Sequence, residues 1–277
     1  MQAIQRTLLL ALGAFPVSIL IVAGACSAIG DDGADGRFER RESLHFTLYQ
    51  DVDLDDHAGL YGSRSFEQSV LRELEAAYDL LGRLLELRPD HKLNVSVWDP
   101  ALFDARFARL FRFPAAGFYG GSIQIRGGDR VSEALVRVLH HELVHAALDA
   151  AAPNLVLPAW LNEGLAEWFE ARSVGKRLLS PGEQAVLERV ARSGGLAFLS
   201  ELSQPAFGGL SPDAAALAYL ESYAFVDFLA GREGERGLAE LCSAVSDSNS
   251  IERGVRRAYR RELAQLEHSF RHALGAP

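Results

Sequence analysis

The sequence predicts an α+β fold with a small mixed α/β N-terminal lobe and a mostly α-helical C-terminal lobe. Stretches with the alternating or β-branched pattern of strands lie only in the first half of the chain, at 43–53, 92–98 and 117–128. From Val131 onward, apolar residues recur at helical spacing almost to the C-terminus. Strands therefore come first and a run of helices follows, which is the order of an α+β fold.

The size and charge of the chain limit the functions it can have. Its 277 residues are 48% hydrophobic and 23% charged, which is enough for one substantial core or two lobes. Lys and Arg number 28 against 37 Asp and Glu, which gives a formal net charge of −9. Because an acidic protein is repelled by the phosphate backbone, we expect no nucleic-acid partner.

Residues 1–26 have the features of an export signal. Arg6 precedes a long apolar run, and three small residues lead into Cys26, an arrangement that resembles a bacterial lipobox. We therefore expect a lipoprotein of the bacterial cell envelope that is anchored to the membrane through Cys26 and faces the periplasm or the exterior. A soluble exported protein and an uncleaved anchor remain open, since the run is long enough to span a bilayer. Residues 27–42 are predicted to be a flexible tether.

Local signals locate the first elements of the N-terminal lobe, which we assign to residues 43–150. A capping box, Ser65 followed by Gln68, is predicted to open a helix that ends before Pro89. The stretch 92–98 alternates apolar and polar residues, the pattern of a half-buried strand.

The end of this lobe contains a short helix and a hairpin. Asp99 followed by Pro100 suits an N-cap and a first-turn proline, so a helix is predicted to run to about Phe111. Glycines bound the stretch 117–128, which is predicted to be a hairpin or an edge strand. The Asp-rich loop at residues 51–59 is not expected to bind calcium, because Asp56 stands where a calcium loop needs its turn glycine.

The C-terminal lobe, residues 151–277, is predicted to be helical, and 43–277 are expected to form one domain. Together with the helix that ends the first lobe, helices are predicted at 131–150, 159–173, 182–193, 213–230, 236–246 and 251–273. Cys242 is expected to be a buried apolar residue of one of these helices. If Cys26 is acylated, Cys242 has no disulfide partner within the chain.

The segment "LHHELVH" holds the strongest signal for chemistry. His141 and His145 are four residues apart, so on a helix they project from one face and can reach one cation. Glu142 can point toward the open side of that metal, where a carboxylate can take a proton from bound water. His140 projects about 100° away from His141 and is expected to be an outer or surface residue.

A third ligand would complete a metal site. The metzincin class requires a His six residues after His145, but position 151 is Ala151. That class also requires a Met below the metal, and the only Met is Met1. Two candidates remain: Asp149, one turn past His145, and Glu163, which lies on a second amphipathic helix and is the better of the two.

The motif "HELVH" followed by "WLNEGLAEWF" resembles the gluzincin metallopeptidases, the clan of thermolysin and aminopeptidase N. It is most similar to the small bacterial envelope proteins called peptidase MA-like. The resemblance implies a zincin-like fold with an edge strand over the active-site helix. It also implies one Zn²⁺ held by His141, His145 and Glu163, with Glu142 as the general base in the hydrolysis of peptide bonds.

The resemblance extends to residues around that site. Glu167 occupies the place where thermolysin-like proteins keep a carboxylate that orients a ligating His, and Asn162 is expected in the same outer layer. The stretch "YLESYAFVDFL" resembles the helix whose leading Tyr stabilises the oxyanion. Aligning Ser222 with the glycine that usually follows this Tyr favours Tyr219, and Tyr223 remains the alternative.

One departure from the family narrows the expected activity. Aminopeptidases of this clan carry a Gly-x-Met-x-Asn motif upstream of the metal helix, and "GFYGGSIQI" fills that place here. We therefore expect an endopeptidase that acts on a peptide or protein substrate, which could pair with the Gly-rich strand. The alternative is a non-catalytic zinc-containing envelope lipoprotein that serves as a binding or scaffold module. The sequence does not predict an oligomeric state.

Overall fold

The computed structural model describes residues 19–20, 38–52 and 62–276. Cys26, most of the predicted export signal and tether, and most of the Asp-rich loop lie outside these residues. Within them, no helix is both long and apolar enough to span a bilayer.

A small mixed sheet forms the N-terminal part of the fold. Its strands are β1 (Ile19–Leu20), β2 (Glu39–Glu42), β3 (Phe46–Gln50), β4 (Leu93–Trp98), β5 (Gly117–Tyr119) and β6 (Ile123–Arg126). Their order is β1-β5-β6-β4-β3-β2. Strand β4 runs parallel to both β3 and β6, whereas β2 and β5 are antiparallel to their neighbours β3 and β6. Strand β2 lies within the predicted tether, so ordered structure begins earlier than the sequence indicates.

Helices account for most of the remaining chain. They are α1 (Gly62–Leu84), α2 (Pro100–Phe107), α3 (Glu133–Ala151), α4 (Ala159–Ser173), α5 (Pro181–Arg192), α6 (Pro212–Glu233), α7 (Glu235–Ser248), α8 (Ile251–Tyr259) and α9 (Leu263–Ala273). The predicted α+β fold class is confirmed, with the sheet in the N-terminal part and a mostly helical C-terminal part. Asp99 caps α2, because its carboxylate accepts from the backbone amides of Ala101 and Leu102.

The hairpin of β5 and β6 lies against α3. A Cβ atom at Gly117 would come within 2.7 Å of the Val138 side chain, so glycine permits this close approach. The hydroxyl of Tyr119 donates to Asp149 at 2.7 Å and ties β5 to the C-terminal end of the same helix. The hairpin therefore lies over the helix that carries the histidine motif, but β5 is not an edge strand here, because β1 pairs with its outer side.

Strand β4 is buried on both faces except at Asn94, and the prediction of a half-buried strand is wrong. On one face Val95 and Val97 are fully buried. On the opposite face Ser96 is also fully buried, and Trp98 is nearly so. The reason is that β4 is central in the sheet, and Trp98 packs with Phe103 of α2 in a second apolar cluster. Alternation in a sequence does not reveal what covers the opposite face.

Two predicted helix boundaries also differ from the structure. Helix α1 begins at Gly62, one turn before Ser65, so the predicted capping box lies inside the helix. The predicted helix 251–273 is two helices, because Arg260 has a left-handed backbone with φ of 52° and ends α8. Helix α9 then begins after Glu262, which forms a capping box of its own.

Close packing of α4 on α6 depends on Gly164. A Cβ atom there would lie 2.6 Å from the Ser222 carbonyl oxygen and 2.7 Å from a Val226 methyl group. We expect Gly164→Ala to lower the free energy of unfolding by about 1–3 kcal/mol, because a backbone atom must move. Urea unfolding measures this change.

The matched control is Gly231→Ala, since Gly231 is also helical and a Cβ atom there would contact nothing within 4 Å. This control is expected to leave stability unchanged or raise it by up to about 1 kcal/mol, owing to the better helix propensity of Ala. Equal effects of the two substitutions would contradict the packing argument.

Candidate metal centre

Helices α3 and α4 build the centre and are the most deeply buried helices of the fold. Ser132 caps the N-terminus of helix α3, because its hydroxyl accepts from the Leu135 amide, and every residue of α3 from Val138 to Leu148 is buried. In α4, every residue from Ala159 to Ala171 is buried. A polar side chain that projects from the facing sides of these helices therefore enters a region without solvent.

Three ligand-type side chains converge between the two helices. The Nε2 atoms of His141 and His145 each lie 3.4 Å from the same Glu163 oxygen, Oε2. The centroids of the two imidazole rings are 4.9 Å apart. The structure thus brings together the three residues that the sequence predicts as ligands, and each of them is at most 1% exposed.

This donor set fits a small divalent cation. Ligand atoms at about 2.0–2.1 Å from a tetrahedral ion lie roughly 3.3 Å apart, close to the two nitrogen-to-oxygen distances observed. Among the described residues, neither Nε2 atom and neither Glu163 oxygen has a hydrogen-bond partner, although all four atoms are buried. Buried polar atoms left without partners are costly, and a shared cation would satisfy all of them at once.

The charges of these groups favour the same conclusion. Burial raises the pKa of Glu163, but His145 and His141 outweigh burial and hold that pKa below its usual value. Burial lowers the pKa of His141, yet the surrounding carboxylates, Glu163 first and Glu170 second, raise it well above its usual value. Without a metal, the carboxylates thus favour an extra positive charge on His141, and a bound cation would take the place of that proton.

The second nitrogen of each histidine has its own partner. Nδ1 of His145 donates to Oδ1 of Asn162 at 3.0 Å. Nδ1 of His141 lies 3.2 Å from Glu170 and 3.7 Å from Glu167. Glu167 is therefore near this histidine, but the closer carboxylate is Glu170, which sequence reasoning missed.

A signal for Glu170 is present in the sequence. Glu163, Glu167 and Glu170 follow one another at helical spacing and share one face of α4. These three carboxylates are almost fully buried, which requires compensating partners in the fold. Burial, followed by the charge of Glu170, raises the pKa of Glu167 to about 8.

Of the two candidate tyrosines, Tyr219 is the one whose pKa responds to the charges of the cluster. Burial raises the pKa of Tyr219 well above its usual value, and the charges of Glu163, Glu167 and Glu142 raise it further. Its ring packs edge-on against Phe207, with ring centroids 5.2 Å apart.

Tyr223 has a different set of neighbours. The amino group of Lys176 lies 4.8 Å from the centre of its ring. Burial raises the pKa of Tyr223, and the charged groups that act on it are Asp227, Arg172 and Glu183. None of these belongs to the three-residue cluster.

Other candidates from the sequence lie outside the cluster. Asp149 is exposed and accepts from Tyr119, so it is not placed as a ligand. His140 is buried, its Nδ1 lies 2.8 Å from the Ser173 hydroxyl, and burial lowers its pKa to about 4. Cys242 is a buried free thiol, and burial raises its pKa to about 12.

An α+β fold in which one helix carries His141 and His145 and the next supplies Glu163 defines a class, the zincin-like peptidase fold. The family model of the Peptidase MA superfamily matches residues 122–276, which is more than half of the chain. The chain therefore belongs to the Peptidase MA superfamily, whose members are generally metal-dependent peptidases. A search of curated proteins finds no match.

Proposed function

We propose that this chain is a zinc-dependent peptidase that hydrolyses internal peptide bonds. The observation that carries the proposal is the convergence of His141 and His145 on one oxygen of Glu163, at 3.4 Å each. Two imidazoles and one carboxylate, with a fourth position left for water, are the ligands of catalytic zinc. When bound, zinc lowers the pKa of coordinated water toward about 7 and polarises a substrate carbonyl.

The residues of the chain divide the remaining chemistry. Glu142, fully buried beside His141, takes the proton of the attacking water and later delivers it to the leaving amine. The hydroxyl of Tyr219 donates to the carbonyl oxygen as negative charge develops on it. Asn162 holds His145 through the bond to Nδ1, so that Nε2 keeps its lone pair for the metal.

The substrate is an extended peptide that pairs with β5. This strand is antiparallel to β6 on one side, and on the other side, within the part of the chain that the structure describes, it pairs only with the two residues of β1. Strand β1 lies within the predicted export signal, so cleavage before Cys26 would remove β1 and open this edge. A peptide added there would pass along α3, which carries the histidines. The absence of a Gly-x-Met-x-Asn motif supports endopeptidase over aminopeptidase activity.

The proposed location is the bacterial cell envelope, with a lipid on Cys26. The support is the apolar run and the small residues that precede this cysteine. Incorporation of a labelled fatty acid by the wild-type chain, and its loss in Cys26→Ser, tests the location. Labelling that persists in the variant would contradict it.

The function is tested with the purified full chain in two measurements. Metal analysis is expected to give one zinc per chain, and a mixed-peptide library is expected to be cleaved at internal bonds. A chelator should abolish cleavage, and added Zn²⁺ should restore it. Blocking the N-termini of the peptides should leave the rate unchanged, whereas an aminopeptidase would lose activity. Cleavage that is insensitive to the chelator would overturn the proposal.

One observation favours the second candidate function, a non-catalytic zinc-containing module that binds a partner. His141, Glu142 and Glu163 are 0% exposed, so the centre is closed to solvent in this conformation. One equivalent of zinc without cleavage of any peptide in the library would select this second function.

A further inference from the structure

Helices α3 and α4 face each other as an antiparallel ladder of charged and polar contacts. Arg137, His141 and His145 follow one another along α3, one turn apart. Their partners run in the opposite direction along α4: Arg137 and His141 meet Glu170, and His145 meets Asn162. Arg137, one turn before His141, therefore shares a partner with a histidine of the centre.

The two oxygens of Glu170 have different partners. Oε1 accepts from the Arg137 guanidinium at 2.6 Å, and Oε2 lies 3.2 Å from Nδ1 of His141. The Glu170 side chain is 1% exposed and that of Arg137 is 23% exposed. A buried carboxylate is stable only when it is paired, and Arg137 supplies the opposite charge from the more exposed end of the ladder.

Glu167 does not have this geometry. Its nearest oxygen is 3.7 Å from Nδ1 of His141, beyond the length of a hydrogen bond to nitrogen. Glu170 thus holds the imidazole, although Glu167 stands at the position that the family pattern indicates.

The contact determines which tautomer the neutral ring of His141 adopts. A carboxylate at Nδ1 accepts a hydrogen bond there, so a neutral ring carries its hydrogen on Nδ1 and leaves the Nε2 lone pair free. That Nε2 atom is the one that lies 3.4 Å from Glu163.

We propose that the Arg137–Glu170 ion pair is the positioning element of His141 and sets the affinity of the centre for its metal, in place of Glu167. The inference rests on the proposed function in that it takes His141 as a metal ligand. It adds Arg137 and Glu170 to the residues on which the activity depends.

The test compares two matched variants of one helix, Glu170→Gln and Glu167→Gln, in the full chain. Zinc affinity is measured by competition with a chromophoric chelator, and urea unfolding of the metal-free proteins reports on the fold. We expect Glu170→Gln to weaken zinc binding about 10–100-fold, the usual cost of losing a partner of a ligating histidine. Glu167→Gln should have a much smaller effect.

Arg137 gives a second measurement that does not alter a buried carboxylate. Arg137→Met should weaken zinc binding in the wild-type background and have no further effect in Glu170→Gln, because the two residues act as one unit. Arg137→Lys, which keeps the charge, should restore most of the affinity. A purely structural ion pair would lower stability without this pattern in metal affinity.

The outcomes separate this inference from the proposed function. A wild-type chain that binds no zinc overturns both. A wild-type chain that binds zinc and cleaves peptides, together with equal effects of Glu167→Gln and Glu170→Gln, overturns only the role of the Arg137–Glu170 pair. A larger effect of Glu167→Gln would return the positioning role to Glu167.

Discussion

The Glu142→Gln variant is expected to bind zinc as the wild-type chain does and to hydrolyse peptides about 10²–10⁴-fold more slowly. Glutamine has nearly the shape of glutamate, so the packing of this fully buried side chain is preserved. It cannot accept a proton from water, and the reaction loses its general base. Metal content and kcat on one peptide of the cleaved library are the two measurements.

The control for this variant is Glu133→Gln on the same helix. Glu133 lies in the first turn of α3 and is exposed, so the same chemical change should leave kcat unaltered. Turnover that persists in Glu142→Gln would remove Glu142 as the base. Loss of zinc in that variant would instead assign it to metal binding.

Tyr219→Phe is expected to lower kcat about 10²–10³-fold, because loss of one donor to a developing oxyanion has a cost of this size. The effect should appear in kcat with little change in KM, since the bond strengthens only in the transition state. Phenylalanine retains the packing of the ring against Phe207. The measurement is steady-state hydrolysis of an internally cleaved peptide.

Tyr223→Phe is the matched control, one turn further along α6 and with the same atom removed. Tyr223 contacts Lys176 and is influenced by charges outside the three-residue cluster, so its hydroxyl should contribute little to turnover. A large loss in Tyr223→Phe together with a small one in Tyr219→Phe would reverse the assignment.

The pairing of the two candidate histidine ligands could be predicted because it depends on spacing within a helix. His141 and His145 face one direction wherever their helix lies, and the resemblance to the gluzincins indicated Glu163 on the next helix as the third candidate. The outer partner of His141 could not be chosen in the same way. Glu167 and Glu170 share a face of α4, and which one reaches Nδ1 depends on how α3 crosses α4 and on the pairing with Arg137.

Other parts of the fold also depend on tertiary context. The break at Arg260 has neither Gly nor Pro to indicate it, and its left-handed backbone is rare for such a residue. The burial of Ser96 depends on what packs on the second face of the sheet. Local rules located most helices because the apolar repeat continues over several turns. They gave wrong boundaries or wrong burial where contacts with neighbouring elements determined the environment.

The ladder between α3 and α4 has a consequence for how the centre forms. Every group from Arg137 to Glu170 lies in one helical hairpin, so little loop-closure entropy opposes its assembly. Tyr219 comes from a helix much further along the chain and depends on the docking of α6. Under the proposed function, the residues that hold the metal therefore come together within one hairpin, whereas the oxyanion donor joins them only when α6 has docked on α4.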